Sequence, residues 1–179
     1  MIEEQQKLIK EAIAGKPASF GSLYDHYQPI VYRFIYLKVS HKEEAEDLTH
    51  QVFLSAWLNI SEFKIKKEAS FIGWLYQISR NKVIDHYRTK KPTVDIDNIV
   101  DPPEIEKKSS EETEDFKIEI KMVKRAIPLL NEIEQDVVIM RFIEDLKPKE
   151  VAEILKKSEG SIRLIQHRAI NKLKNILNK

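Results

Sequence analysis

Apolar residues recur every three or four positions along most of this 179-residue chain, and only four glycines interrupt them. That spacing lines apolar side chains along one face of a 3.6-residue helix, whereas a half-buried strand would alternate every second residue. Alternating runs bounded by hairpin signals are missing. The chain is therefore expected to be all-α. A first helix covers about 2–14 and stops at Gly15, with Pro17 just beyond. A second covers about 18–39. Ser40-His41-Lys42-Glu43 has capping-box spacing, so a third starts near His41 and runs to about Asn59. The polar, lysine-rich stretch 61–70 reads as a loop, and a fourth helix covers about 71–90.

Lys91-Pro92 stops that helix, because the residue before a proline is disfavoured in the helical conformation. Residues 92–115 then hold Pro92, Pro102 and Pro103 with many acids and few large apolar side chains, a composition unsuited to a packed core. The expected organisation is two small helical domains, 1–91 and 116–179, joined by an acidic flexible linker over 92–115. In the second domain a long helix spans about 116–144, bent or broken at Pro128. A short helix follows, with Pro148 at its first position and Leu155 near its end. The last helix covers about 159–177.

Net charge is only +1, but its distribution is segmented. Arg80 to Lys91 holds five bases and one acid, Asp95 to Glu119 ten acids and three lysines, and Lys147 to Lys179 nine bases and three acids. Two basic segments thus flank an acidic one, a pattern open to solvated surfaces or to nucleic-acid contact. There is no cysteine, which leaves out disulfides and thiolate metal sites. No basic segment followed by an apolar run opens the sequence, and no apolar stretch approaches the roughly 20 residues that cross a bilayer. The expected location is cytoplasmic, with no membrane segment of the chain's own.

A short helix, a turn at Lys156-Lys157-Ser158 and a longer basic helix make a helix-turn-helix pattern. At about 100° per residue, Ile162, Ile165, Ala169, Leu173 and Ile176 share one side of the last helix. Arg163, Leu164, His167, Arg168 and Asn171 share the other. Arginine can donate twice to a guanine edge, asparagine can pair with adenine, and an exposed leucine can pack on a thymine methyl. The plainer reading is an amphipathic helix with one stray leucine.

On the helix 43–59, Ala45, Leu48, Val52 and Ala56 form a core stripe. Leu54 and Leu58 lie nearly opposite, among Asp47, His50 and Gln51. That mixed face suits a protein partner or a second packed neighbour. Glu46 and His50 are four apart, but no further ligand accompanies them, so no metal is assigned. The helix 71–90 is expected to bury Phe71, Trp74, Leu75 and Ile78. Its other stripe carries Tyr76, Arg80, Val83, Tyr87 and Lys91. Bases interleaved with aromatics suit melting DNA, where rings stack and cations hold phosphates. The alternative is tyrosines lying against a neighbouring helix. Lys64, Lys66 and Lys67 in the preceding loop add positive charge. No cofactor or small-molecule substrate is implied. Without a Gly-rich phosphate loop, a cysteine or a His/carboxylate constellation, the chain is not expected to be an enzyme.

Five stretches taken in order resemble the extracytoplasmic-function group of sigma factors. Phe20-Gly21-Ser22-Leu23-Tyr24-Asp25-His26-Tyr27 with Val31-Tyr32-Arg33 is similar to the opening of sigma region two. Glu44 through Phe53, then Ala56-Trp57, resembles its polymerase-binding helix. Phe71 through Asn81, then Ile84-Asp85 and Arg88, resembles the helix that meets the minus-ten element. Leu129-Leu130-Asn131 through Phe142 resembles the start of region four. Glu150 through Leu155 and Glu159-Gly160-Ser161-Ile162-Arg163, then His167-Arg168-Ala169, resemble its helix-turn-helix.

The resemblance implies binding of the clamp helices of core RNA polymerase by Asp47, His50, Gln51, Leu54 and Leu58. It implies minus-ten recognition and melting by Lys64, Lys66, Lys67, Tyr76, Arg80, Asn81, Tyr87 and Arg88, with the 61–70 loop cradling a flipped base. Minus-thirty-five duplex would be read by Ser161, Arg163, Leu164, His167, Arg168 and Asn171. Promoter DNA, core polymerase and an anti-sigma factor are the implied partners. Four positions depart from the family pattern: Lys156 stands where glycine is frequent in the turn, Lys147 replaces a capping serine, and Leu164-Ile165 replaces Ser-Arg. The competing expectation is a two-domain helix-turn-helix regulator that does not act as a polymerase subunit.

Overall fold

In the structure, a computed structural model, residues 2–65, 70–89 and 122–178 are described. Every regular element among them is helical. The chain divides into two compact units, Met1–Ile35 with Glu43–Thr93, and Tyr36–Lys42 with Val94–Lys179. The linker expected over 92–115 and the expected helix start at Phe116 lie outside the described residues.

The first unit is built from α1 (Ile2–Ile13), most of α2 (Pro17–Val39), α3 (Lys42–Asn59) and α4 (Phe71–Thr89). Gly15, at φ +84°, turns the chain after α1 in the left-handed region where a Cβ is disfavoured. Ser40 does not cap α3 as its spacing suggested. It sits at φ +56° and its N–H donates to the Tyr36 carbonyl at 2.8 Å, so it closes α2. The core joins Leu23, Val31 and Phe34 of α2 to Leu48 and Val52 of α3 and to Phe71, Leu75 and Tyr76 of α4. Phe63 is buried after the 3₁₀ turn Ile60–Glu62, with its ring 5.4 Å from Phe71 and 5.1 Å from Trp74. One end of the lysine-rich loop is therefore anchored by an aromatic cluster. Trp74 is half-buried within it.

The second unit does not contain one long helix ending at 144. Residues 122–126 are helical, and Ile127–Leu129 tighten into a 3₁₀ turn around Pro128. The break is fixed by Asn131: its Oδ1 accepts from the Glu134 N–H at 3.0 Å, and its own N–H donates to Glu134 Oε2 at 3.2 Å. This reciprocal cap satisfies free amides at the new start and explains why α5 (Glu132–Val138) begins there. α5 continues as a π-helical turn, Ile139–Ile143. In the same unit Lys38 donates to Asp136 Oδ1 at 2.6 Å with both side chains buried.

α6 (Pro148–Leu155) and α7 (Glu159–Leu177) form the helix-turn-helix. Lys147 supplies no side-chain cap; half of that role passes to Glu150, whose Oε2 accepts from the Lys147 N–H at 2.7 Å. Val151, Ile154 and Leu155 pack with Ile162, Ala169 and Leu173 in the core of the unit. The turn is left-handed at Lys156 (φ 52°, ψ 47°), with the Lys157 N–H bonded to the Ala152 carbonyl and the Lys156 N–H to that of Glu153. This pair of bonds is a Schellman closure, which favours glycine at the left-handed position. Lys156→Gly is expected to stabilise the protein by about 1 kcal/mol, the relief of a Cβ in that region. Urea denaturation followed by circular dichroism checks it; a lower midpoint would contradict the strain.

Candidate nucleic-acid interface

On α3 the core stripe is Ala45, Leu48, Val52 and Ala56, all buried. The opposite face is open. Leu54 is 60% and Leu58 70% exposed, with Asp47 and His50 also exposed. Gln51 is half-buried, and its Nε2 donates to Asp47 Oδ2 at 2.7 Å, joining two polar groups one turn apart. Two leucines standing in water within a polar frame form an apolar patch without an intramolecular use in the unit.

α4 corrects one sequence expectation. Tyr76 is 1% exposed and packs on Phe34 at a ring separation of 4.9 Å. Val83, on the same stripe, is also buried. In this fold neither can meet a base. The stripe is core along the first part of the helix and emerges only at its end, where Tyr87 is 51% exposed. Arg80 is half-buried, while Asn81 and Arg88 are exposed, the latter 4.0 Å from Asp85. Lys64 is exposed; Lys66 and Lys67 lie outside the described residues.

A contact missed in the sequence fixes that end of α4. His86 Nε2 and Glu44 Oε2 lie 2.9 Å apart, tying α4 to the first turn of α3. The Tyr87 hydroxyl pKa is raised, first by burial and then by the negative charge of Glu44. Glu44 and His86 are 42 positions apart, a separation that helical periodicity does not address.

On α7 the two sides separate as expected. Ile162, Ala169 and Leu173 are buried; Ser161, Arg163, Leu164, His167, Arg168 and Asn171 are exposed, Leu164 to 51%. Ser158 caps the helix, its Oγ accepting from the Ser161 N–H at 3.1 Å. Asn171 Nδ2 stands 3.4 Å from a His167 ring nitrogen. Arg163 Nη2 donates to Glu159 Oε1 at 2.6 Å. Behind the helix, Gln166 Oε1 accepts from Arg141 Nε at 3.1 Å, and Lys172 pairs with the buried Glu134 at 2.7 Å. The face offers a row of donors and one apolar side chain on a rigidly backed helix, a form that fits the major groove.

Residues 23–93 match the Sigma-70 region 2 family, and residues 126–175 match the Sigma-70, region 4 family. The chain is 35% identical over 173 residues to the ECF RNA polymerase sigma factor BldN of Streptomyces coelicolor, covering 96% of this chain and 65% of BldN. It is 28% identical over 181 residues to the ECF RNA polymerase sigma factor SigW of Bacillus subtilis, covering 96% of each. The chain belongs to the extracytoplasmic-function group of the sigma-70 family. α3 and α4 fall within its region 2, and α6 and all but the last two residues of α7 within its region 4.

Among the solved structures that share the fold of this sigma-70 chain are two bound to other proteins. One is a chain in the structure of CnrH in complex with the cytosolic domain of CnrY, with TM-score 0.73, 19% identity, and coverage of 98% of this chain and 97% of that one. The other is a chain in the structure of sigma factor RpoE with the anti-sigma factor NepR from Bartonella quintana. There the TM-score is 0.67, with 20% identity and coverage of 89% and 96%. Among the described residues, no helix is long and apolar enough to cross a membrane, and no group of three or more His, Cys, Asp or Glu is placed to hold a metal.

Proposed function

We propose that this chain is a sigma subunit that brings core RNA polymerase to promoters and helps open them. The carrying observation is the exposed leucine face of α3 in a chain that also bears a helix-turn-helix with a cationic outer face. A DNA-binding regulator that ignores polymerase would use α7 and leave Leu54 and Leu58 in water to no purpose. Residues 1–91 act as the polymerase-binding and minus-ten domain, 92–115 as the linker, and 116–179 as the minus-thirty-five domain. Asp47, His50, Gln51, Leu54 and Leu58 bind core polymerase. Lys64, Lys66, Lys67, Arg80, Asn81, Tyr87 and Arg88 engage the minus-ten element; Tyr76 supports them from the core. Ser161, Arg163, Leu164, His167, Arg168 and Asn171 face the minus-thirty-five duplex.

In this reading the exposed Tyr87 ring stacks on an unpaired base, and Arg80 holds a neighbouring phosphate. The chain catalyses nothing itself; the polymerase supplies the chemistry, in the cytoplasm. An anti-sigma factor is a further partner, as NepR is for the Bartonella quintana RpoE. The test is permanganate footprinting of the melted bubble with the double variant Arg80→Ala and Tyr87→Ala. Stacking is worth about 1–3 kcal/mol per base, so bubble reactivity should fall roughly 5- to 150-fold while holoenzyme still forms. Wild-type reactivity would reject the assignment.

A further inference from the structure

The outer face of α7 carries an acid where a DNA-reading helix has least use for one. Glu159 is the first residue of the helix, beside the cap Ser158 that pins the turn. Its Oε1 accepts from Arg163 Nη2 at 2.6 Å, and both side chains are exposed, 69% for Arg163 and 44% for Glu159. An exposed pair four residues apart adds little stability. A carboxylate in the first turn does complement the helix dipole. It also repels phosphate, so on a helix that enters a groove it works against affinity.

The geometry gives the acid another use. A guanidinium has five N–H donors, and the Glu159 bond occupies one. Four remain, and a guanine edge needs two. An arginine with no such tether can swing to the nearest phosphate, a contact that carries no sequence information.

We propose that Glu159 is a specificity-determining positioning residue: it holds the Arg163 guanidinium toward base edges and away from phosphate, so that Arg163 reads a guanine in the minus-thirty-five element. This rests on α7 being the duplex-reading helix. Affinity is exchanged for selectivity: the carboxylate weakens binding to every sequence and sharpens the preference for one.

The experiment is selection from a randomised minus-thirty-five library by full-length chain assembled with core polymerase, alongside affinity for random duplex at two salt concentrations. Arg163→Ala should erase preference at one base pair. Glu159→Ala should lose at least about fivefold discrimination at that same pair, with binding to random duplex unchanged or tighter. Glu159→Gln keeps an acceptor and should restore most of the preference. The double variant should be no less selective than Arg163→Ala alone. Arg168 is exposed further along the same face, where it would hold phosphate and not a base edge, so Arg168→Ala should weaken all sequences alike and flatten the salt dependence. The proposal is overturned if Glu159→Ala returns the wild-type motif, or if its loss is uniform across sequences and adds to that of Arg163→Ala, as mere support of the helix end would. If Arg163→Ala itself returns the wild-type motif, Arg163 is not a base contact. The recognition assignment then fails, and the role of Glu159 falls with it.

Discussion

Replacing Leu54 by Glu and Asp47 by Lys is expected to weaken the complex with core polymerase by about 2–4 kcal/mol, roughly 30- to 700-fold. The thermal midpoint of the free protein should barely move. Leu54 stands 60% exposed on α3, so a carboxylate there remains in water until a partner covers it. Once covered, it is a buried charge without a counter-ion, which is what makes the effect large. Asp47 contributes a bond to Gln51 in the free chain, but both ends are at the surface, so its loss alone is minor. Fluorescence titration of labelled chain with core enzyme measures the effect. Unchanged affinity would remove α3 from the interface.

Tyr76→Ala is expected to cost the first unit about 3–5 kcal/mol, the usual range for emptying a buried aromatic site. That is a large part of the 5–15 kcal/mol total typical of a native protein. Tyr87→Ala, by contrast, should change stability by less than about 1 kcal/mol, because half of that ring is already in water. The contrast separates two tyrosines that lie on one stripe of α4. Denaturant titration of both variants reads it directly. A Tyr76→Ala protein as stable as wild type would mean that the ring packed on Phe34 is not core, and would restore Tyr76 as a DNA contact.

α4 also shows what a sequence can and cannot disclose. Periodicity aligned Tyr76, Val83 and Tyr87 correctly, since a helix repeats every 3.6 residues whatever surrounds it. It carried no information about where the neighbouring helices end, so the buried and emergent parts of the stripe looked alike. The outer face of α7 was more legible because one end of the pattern is anchored by Ser158 and the whole helix is amphipathic: its bounds, 159–177, and its exposed side are as expected. The left-handed Lys156 was legible only through resemblance, as the place of a frequent glycine. Pro128 marked a break in the long helix, but the reciprocal cap between Asn131 and Glu134 made it a clean restart. Ser40 had the spacing of a cap and a different task, because an αL residue ending one helix and a capping residue starting the next occupy nearly the same place in sequence. Glu159 and Arg163 are four apart and thus visible as a pair, yet only the bond seen on the exposed side of α7 gives the pair the use proposed for it.

The most direct measurement is run-off transcription with purified core polymerase, with and without this chain, on a library of promoter-length templates randomised at both elements. The expected result is that the chain alone makes transcription selective. Transcripts should come from a discrete set of templates that share a minus-ten and a minus-thirty-five sequence at fixed spacing, and the Leu54→Glu, Asp47→Lys variant should abolish that selection. The contradicting result is a chain that binds duplex DNA with sequence preference but leaves core polymerase unselective and forms no stable complex with it.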